Sequence, residues 1–131
     1  MSAIPESHRD IIEQGGLGFV ATIGPAGEPQ NNPVWVVWDG EHIMFSLHKK
    51  RQKYWNLRRE PRIAITVVDP DNRRRYLEVR GTVTAIEDDA DRSFIDSIAR
   101  QFVGTPRYEY DAPGAERVVV KVRPEHSSQM G

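Results

Sequence analysis

The residues of this sequence best suited to binding chemistry form a basic and amide-rich run at positions 48–53, HKKRQK. The run follows a β-rich segment and overlaps residues 51–59, which lack turn formers and are predicted to form a short helix. The first turn of a helix has unpaired N–H groups and the positive end of the helix dipole, so Arg51 and Lys53 beside it would suit a phosphate. A solvated charged surface has the same composition, and the residue types alone leave both interpretations open.

The distribution of charge along the chain favours an anionic ligand for this region. Lys and Arg total 18 against 19 Asp and Glu, a formal net charge of -1. Residues 49–80 nevertheless hold eleven basic and four acidic groups, a balance of +7 against -8 for the rest of the chain. Such a local field attracts anions. A nucleic-acid-binding module is the competing interpretation, because Tyr54, Trp55 and Tyr76 lie among the basic residues; without a helix-turn-helix or RNP-like pattern, nucleic acid is not the expected partner.

Other chemistries are excluded by the residue types. The absence of cysteine removes disulfides, thiolate nucleophiles and Cys-ligated metal centres. The four histidines, at positions 8, 42, 48 and 126, have no ligand-like spacing, so no metal site is expected. The opening MSAIPESHRD is polar, and no stretch approaches the ~18 apolar residues of a membrane span. We therefore expect a cytoplasmic protein that does not cross a membrane.

The elements that must position the basic run are predicted to form one small β-rich domain. A length of 131 residues has room for a single domain. An Asp39-Gly40 turn between two β-rich runs predicts a tight hairpin. The predicted elements are a short N-terminal helix ending at Gly15-Gly16, strands at 17–23, 34–38, 42–45, 63–68, 76–86 and 117–123, helices at 51–59 and from Asp88 to near Gly104, and a polar tail after Pro124.

These elements favour a mainly β, α+β fold, a small six-stranded antiparallel barrel with short peripheral helices, because helices do not alternate regularly with strands. Strand 76–86 alternates apolar and polar residues, and Gly81 in its middle predicts a bend or bulge. The strands at 34–38 and 63–68 are apolar at consecutive positions, so both of their faces need cover. Three short helices cannot cover every strand, and we therefore predict a homodimer.

In their order and spacing, several short motifs resemble the pyridoxamine-phosphate-oxidase-like split β-barrel family, and within it the actinobacterial flavin/deazaflavin oxidoreductases that bind coenzyme F420. The resemblance covers about residues 8–124 and implies a split-barrel domain over 1–131, with a polar tail at 125–131, that forms homodimers with cofactor sites at the interface. The motifs that carry it are LGFVATI at 17–23, GEPQ at 27–30, the hairpin, FS at 45–46 leading to RQK at 51–53, NLRREPR at 56–62, the strand ending at Gly81, ERV at 116–118 and Pro124.

The resemblance also implies roles for individual residues. The cofactor phosphate would be held by Ser46, Arg51, Gln52 and Lys53, with Asn56 one helical turn further on. Pro29, Gln30, Asn31 and Asn32 would lie along the ring of the cofactor. Arg74, Arg75 and Tyr76 would reach over the groove from the partner subunit, and Tyr76 is a candidate proton donor; no catalytic residue is otherwise assigned.

The implied cofactor is F420, with FMN as the alternative. F420 continues past its phosphate into an anionic polyglutamate tail, and the basic residues beyond those that one phosphate needs, Lys50 among them, could meet its carboxylates. The implied reaction is hydride transfer from the reduced deazaflavin to an electrophilic carbon of a small organic acceptor, such as an activated enone or a quinone-like ring. A cofactor-binding or haem-binding barrel without turnover is a further alternative. His48, Tyr108 and Tyr110 are candidates for contacts with the substrate.

Overall fold

A computed structural model of the chain describes residues 3–131. Within this range the chain forms six strands and three short α-helices. The elements are a 3-10 turn (Glu6–His8), α1 (Arg9–Gln14), β1 (Gly16–Ile23), β2 (Pro29–Trp38), β3 (Ile43–His48), α2 (Gln52–Arg59), β4 (Arg62–Val68), β5 (Tyr76–Asp88), α3 (Ser93–Ile98) continued by a π-helix (Ala99–Val103), and β6 (Arg117–Met130). Among these residues no helix has the length and apolar character needed to span a membrane.

The six strands close into an antiparallel barrel in the order β1-β2-β3-β6-β5-β4, which confirms the predicted six-stranded antiparallel architecture. Alternate residues of each strand point inward and are buried, as the strand period of two requires. The interior is filled by branched aliphatic side chains around Phe45, which is fully buried. Burying a side chain of this kind contributes about 1.5–3 kcal/mol. The barrel is therefore a packed core, and a ligand must bind at its wall.

The wall opens between β2 and β3. These strands pair over three positions only, from Val36–Phe45 to Trp38–Ile43, close to the hairpin turn. β2 pairs with β1 from Pro29 to Val36, whereas β3 pairs with β6 along its whole length. The two strands of the hairpin thus diverge, and α2, which follows β3 directly, packs against the barrel beside this opening. Leu57 of α2 is 2% exposed and belongs to the barrel core.

Two irregularities interrupt the pairing of β5 with β6. The register shifts between Arg80 and Gly81 and again between Val83 and Ala85. The expected bulge at Gly81 is present, and an added Cβ there would lie 2.2 Å from the carbonyl oxygen of Arg123. The second shift changes the phase of the strand, so that Ile86 rather than Ala85 packs against the core. The simple alternation predicted over the whole of 76–86 is therefore wrong after Val83.

The residues expected to form a tail after Pro124 instead extend β6 to Met130. They pair with the first half of β5, so that Met130 lies opposite Tyr76. Strand pairing uses backbone groups, which polar residues supply as well as apolar ones do. The hydroxyl of Ser127 also donates a hydrogen bond to the carbonyl of Ala3 at 2.6 Å. This part of β6 is polar because most of its side chains face outward, and the sequence pattern of a buried strand is missing for that reason.

Candidate functional site

A cleft of about 610 Å³ lies where β2 and β3 diverge. Its volume is within the range of small-molecule sites, which is about 300–1,000 Å³. One wall is polar and the other is apolar. The polar wall consists of Gln30, Asn32, Ser46, His48, Lys50, Arg51, Gln52, Lys53 and Arg117, and the remaining lining residues are Leu17, Pro33, Val34, Trp35, Leu47, Ile95, Ile98 and Tyr108.

The polar wall carries a one-sided charge. Four basic side chains line the cleft, those of Lys50, Arg51, Lys53 and Arg117, and no acidic side chain of residues 3–131 lines it. The first N–H groups of α2 are also available at this wall, because they have no intrahelical acceptor and Arg51 makes no capping hydrogen bond with its side chain. The wall therefore combines fixed positive charge with the positive end of a helix, an arrangement that binds anions such as phosphate.

Lys53 is the most buried of these cations. It belongs to the first turn of α2 and is 7% exposed. Its Nζ donates a hydrogen bond to Oδ1 of Asn32 at the long distance of 3.4 Å. Burial lowers the pKa of the Lys53 ammonium, and the positive charge of Arg51 lowers that pKa further. A buried ammonium with one weak hydrogen bond is costly, and an anion in the cleft would compensate it.

An amide network fixes the floor beside Lys53. The fully buried Asn56 accepts a hydrogen bond from Gln52 Nε2 at 2.9 Å. Its Nδ2 donates to Thr22 Oγ1 and to Gln30 Oε1, each at 3.0 Å. Because Gln30 Oε1 is used in this way, the NH₂ group of Gln30 remains as a donor at the cleft. Asn56 thus lies behind the cleft wall and orients residues that line it.

His48 lies at the centre of the basic groups. Its Nδ1 accepts a hydrogen bond from the backbone N–H of Lys50 at 3.0 Å. Burial lowers the pKa of His48; Arg117, Lys50 and Arg51 lower this pKa further, whereas Asp111 opposes the shift. The ring therefore stays neutral down to a lower pH than the ring of an ordinary histidine does. At neutral pH it adds no charge of its own to the wall.

The apolar wall is built mainly by β2 and the helix after β5. Trp35 stacks on Phe102 of the π-helix, with ring centroids 4.7 Å apart and planes within 6° of parallel. Ile95 and Ile98 of α3 line the same side. The Asp89 carboxylate accepts hydrogen bonds from the N–H groups of Phe94 and Ile95, which fixes the start of α3. A flat apolar ligand group would find a preformed surface here.

Comparison with known proteins assigns this fold and cleft to a family. The sequence profile of the family described as pyridoxamine 5'-phosphate oxidase matches residues 4–131. The chain belongs to this family. The resemblance identified from the sequence motifs is therefore confirmed, over nearly the full described length.

The chain is also similar to several solved structures. An F420 reductase is 41% identical to the chain over 95% of this chain and 98% of that chain, with a TM-score of 0.87. A conserved hypothetical protein from Mycobacterium tuberculosis is 26% identical to the chain, with a TM-score of 0.73. The match covers 97% of this chain and 84% of that protein. General Stress Protein 26 from Bacillus anthracis shares the fold alone. It is 16% identical, with a TM-score of 0.69, and the match covers 95% of this chain and 92% of that chain. No protein of curated function matches the sequence.

Most residues that the family resemblance selected lie together at the cleft. Gln30, Asn32, Ser46 and positions 50–53 line the cleft. Pro29 and Asn31 alternate with these β2 residues and are exposed on the outer face of the strand.

The other selected residues lie elsewhere. Tyr76 lies opposite Met130, at the far end of β6 from Arg117. Arg75 binds Asp10 at 2.6 Å and Asp69 at 3.0 Å, and it donates to the carbonyl of Ser7. Positions 74–76 of this chain therefore do not line the cleft.

The basic surplus of residues 49–80 is also less concentrated than the sequence indicates. Lys49 pairs with Asp88 at 2.9 Å and with Glu116 at 3.1 Å. Arg59 donates to the carbonyl of Ile23, and Arg58 lies over the Tyr54 ring. These cations are occupied away from the cleft, so only part of the positive segment faces it.

Sequence reasoning left two cleft residues without a definite role. Arg117 was part of a family motif without an assigned function, and Tyr108 was one of two tyrosines in the same loop. The structure places Tyr108 in the cleft, whereas Tyr110 is 72% exposed. Arg117 becomes a cleft residue through the pairing of the last strand with β3, which sets Arg117 opposite His48 and has no local signal in the sequence.

Proposed function

We propose that the chain is an oxidoreductase that binds coenzyme F420 in the cleft between β2 and β3. In this proposal it catalyses hydride transfer from the reduced cofactor to an electrophilic carbon of a small organic acceptor, such as an activated enone or a quinone-like ring. The observation that carries the proposal is the buried ammonium of Lys53 in a cleft lined by four basic and no acidic side chains of the described residues. The 41% identity to an F420 reductase supports the same cofactor.

The two walls of the cleft fit the two halves of such a cofactor. A phosphate matches the donors of Ser46 and of residues 50–53 together with the N-terminus of α2. A planar ring matches the polar edge of Gln30 and Asn32 beside the apolar wall. When bound, the deazaflavin supplies a hydride from its ring. The protein's part is to orient the ring and to exclude water from it, for which the packed wall of Trp35 and α3 is suited.

The charge of the cleft favours F420 over FMN. A phosphate monoester carries about -1.5 to -2 at neutral pH, which leaves the four basic groups undercompensated. A cofactor with carboxylates beyond the phosphate matches the charge better, and Lys50, which is exposed at the rim, suits such a tail. Each exposed ion pair contributes only about 0–1 kcal/mol, so the preference rests on several pairs together. FMN remains the second candidate because the residues that would hold the shared phosphate and ring do not discriminate against it.

Parallel titrations test the proposed cofactor and reaction. F420, FMN and riboflavin are each titrated into the purified protein by calorimetry, and riboflavin serves as the ring without a phosphate. We expect the order F420, FMN, riboflavin in decreasing affinity. Reduced F420 is then mixed anaerobically with a quinone such as menadione, and the return of the oxidised absorbance is compared with the rate without protein. Tighter binding of FMN would overturn the cofactor assignment, and binding without a protein-dependent rate would overturn the reductase assignment.

We also propose that the protein is a homodimer that uses the outer face of β1 and β2. Leu17 and Phe19 of β1 are each 40% exposed, and Trp35, which pairs with Leu17, is 37% exposed. Phe19 lies opposite Pro33, so the four side chains form one apolar strip, of which Leu17, Pro33 and Trp35 also line the cleft. A second copy would cover the strip, and residues 74–76 of that copy could then approach the cleft.

Sedimentation of the wild type and of Phe19→Asp tests the homodimer. We expect a dimer that the buried charge of the variant dissociates. Glu13→Lys, an exposed change on α1, is the matched control and should leave the dimer intact. A wild-type monomer at micromolar concentration would refute the proposal.

A further inference from the structure

Arg117 is held at the edge of the cleft by a cluster that has more positive than negative charge. Its side chain is 12% exposed. The guanidinium donates to the Asp111 carboxylate twice, from Nε at 2.6 Å and from Nη2 at 2.9 Å. Arg92 Nη2 donates to the same carboxylate at 2.9 Å. Two guanidinium groups share one carboxylate, so the cluster carries a net charge of about +1, because arginine stays protonated in proteins.

The remaining nitrogen of Arg117 points toward the cleft. Nη1 donates to Ser46 Oγ at 3.2 Å, and within residues 3–131 its second N–H has no acceptor. The guanidinium lies over the Tyr108 ring, 4.7 Å from the ring centroid. The loop that carries Tyr108 is fixed independently, because the Tyr108 N–H donates to the Asp96 carboxylate at 2.9 Å. Arg117 is therefore constrained on three sides, and the second N–H of Nη1 remains available as a donor on the side of Ser46.

Asp111 accounts for this orientation. Its side chain is 9% exposed, and the hydrogen bonds from Arg117 and Arg92 lower its pKa to about 2 against the effect of burial. The carboxylate is thus ionised throughout the neutral range. It uses the Nε and Nη2 edge of Arg117, which leaves Nη1 as the edge directed at Ser46. A lysine could not satisfy both partners, because its ammonium lacks the planar fork of donors.

We propose that Arg117 binds an anionic oxygen of the ligand in the cleft, together with Ser46, and that Asp111 is a positioning residue that sets the direction of its guanidinium. The anionic group is a phosphate or a carboxylate. The assignment of this group to a cofactor rests on the proposed function, whereas the anion site itself follows from the geometry of the cluster. F420 and FMN share the phosphate and only F420 has an acidic tail, so a comparison of the two ligands distinguishes these two sources of the anionic group.

The test measures the affinities of F420, FMN and riboflavin for the wild type, Arg117→Lys and Asp111→Asn by calorimetry. A charge-assisted hydrogen bond corresponds to a loss of roughly 10- to 150-fold. Losses of this size for F420 and FMN with riboflavin unchanged would support the site and identify the phosphate. A loss for F420 alone would support it and identify the tail carboxylates. Equal losses for all three ligands, or no loss, would overturn it.

Two further measurements keep the result interpretable. Arg123→Gln changes an exposed arginine on the same strand, which pairs with Glu125, and should leave all affinities unchanged. The rise of the melting temperature with inorganic phosphate is measured for the wild type and both cleft variants, because a ligand that binds only the folded state raises it. If neither F420 nor FMN binds the wild type, the proposed function fails. The Arg117 site then stands if phosphate stabilises the wild type and not Arg117→Lys, and it is overturned if the two respond alike.

Discussion

Replacing Lys53 with methionine should weaken cofactor binding while leaving the fold at least as stable. Lys53 is 7% exposed, and its ammonium has a single hydrogen bond of 3.4 Å. Methionine keeps the apolar stem and removes a charge that burial already disfavours, as the lowered pKa of Lys53 indicates. We expect the free energy of unfolding to rise by about 1 kcal/mol, which corresponds to roughly 4 °C in melting temperature for a domain of this size.

The same substitution removes a charged donor to the phosphate. Such a bond contributes about 1.5–3 kcal/mol, which corresponds to a loss of roughly 10- to 150-fold in affinity for F420 and FMN. Riboflavin, which has no phosphate, should bind both proteins equally. Lys49→Met is the matched control, because Lys49 pairs with Asp88 and Glu116 away from the cleft. The control should lose some stability with the two ion pairs and should change the affinities by less than about twofold.

The pH dependence of binding gives a second readout for Lys53. The anion needs the charged ammonium, so affinity should fall as the pH rises through the lowered pKa of Lys53, below the ~10.4 of an ordinary lysine. Calorimetric titrations across this range should show the fall in the wild type and not in Lys53→Met. Unchanged affinity in the variant would remove Lys53 from the binding site. A clear loss of stability in Lys53→Met would show instead that the Lys53 ammonium supports the fold.

Two further predictions concern stability. Gly81→Ala should lower the free energy of unfolding by about 2–4 kcal/mol in urea, because the added Cβ would lie 2.2 Å from a backbone oxygen. Gly27→Ala is the control, because Gly27 has φ 85° and no atom lies within 4 Å of the added Cβ. It should lower the free energy of unfolding only by the ~1–2 kcal/mol of a left-handed backbone. Equal losses of stability in the two variants would contradict this account of the bulge. Asp111→Asn should be less stable than the wild type at neutral pH. The folded pKa of Asp111, about 2, is lower than the ~3.9 of an unfolded aspartate, so its contribution is complete above pH ~4 and declines toward pH ~2. Thermal melts of the two proteins should converge over that interval, and a gap independent of pH would show that Asp111 acts otherwise.

The sequence predicted the existence of all six strands because their signals are local, but it missed that β2 begins at Pro29 and that β3 continues to His48. The Asp39-Gly40 turn, the apolar runs and the helix after residue 50 each depend on a few neighbouring residues. The opening between β2 and β3 could not be predicted, because it depends on where the pairing of β3 with β2 stops while its pairing with β6 continues. The last part of β6 was missed for a similar reason, since a polar strand at the barrel surface has no apolar alternation.

The candidate site shows the same division between local and distant information. The basic run at 48–53 indicated an anion site from charge and helix position alone. That Lys53 would be nearly buried, while its neighbour Lys50 is exposed, depends on how α2 packs against β1 through Asn56 and Thr22. Arg117 is 64 or more positions from this run, and only the pairing of β6 with β3 brings it there.

The extension of β6 has a consequence for how the barrel is made in the cell. β6 pairs with both β3 and β5, and near its end Ser127 bonds to Ala3 across 124 positions of sequence. Until this strand is in place, β3 and β5 each have an open edge that can pair with other chains. Contacts so distant in sequence also form slowly. Barrel closure therefore waits for β6, and a chain truncated shortly before residue 117 would expose two aggregation-prone edges at once.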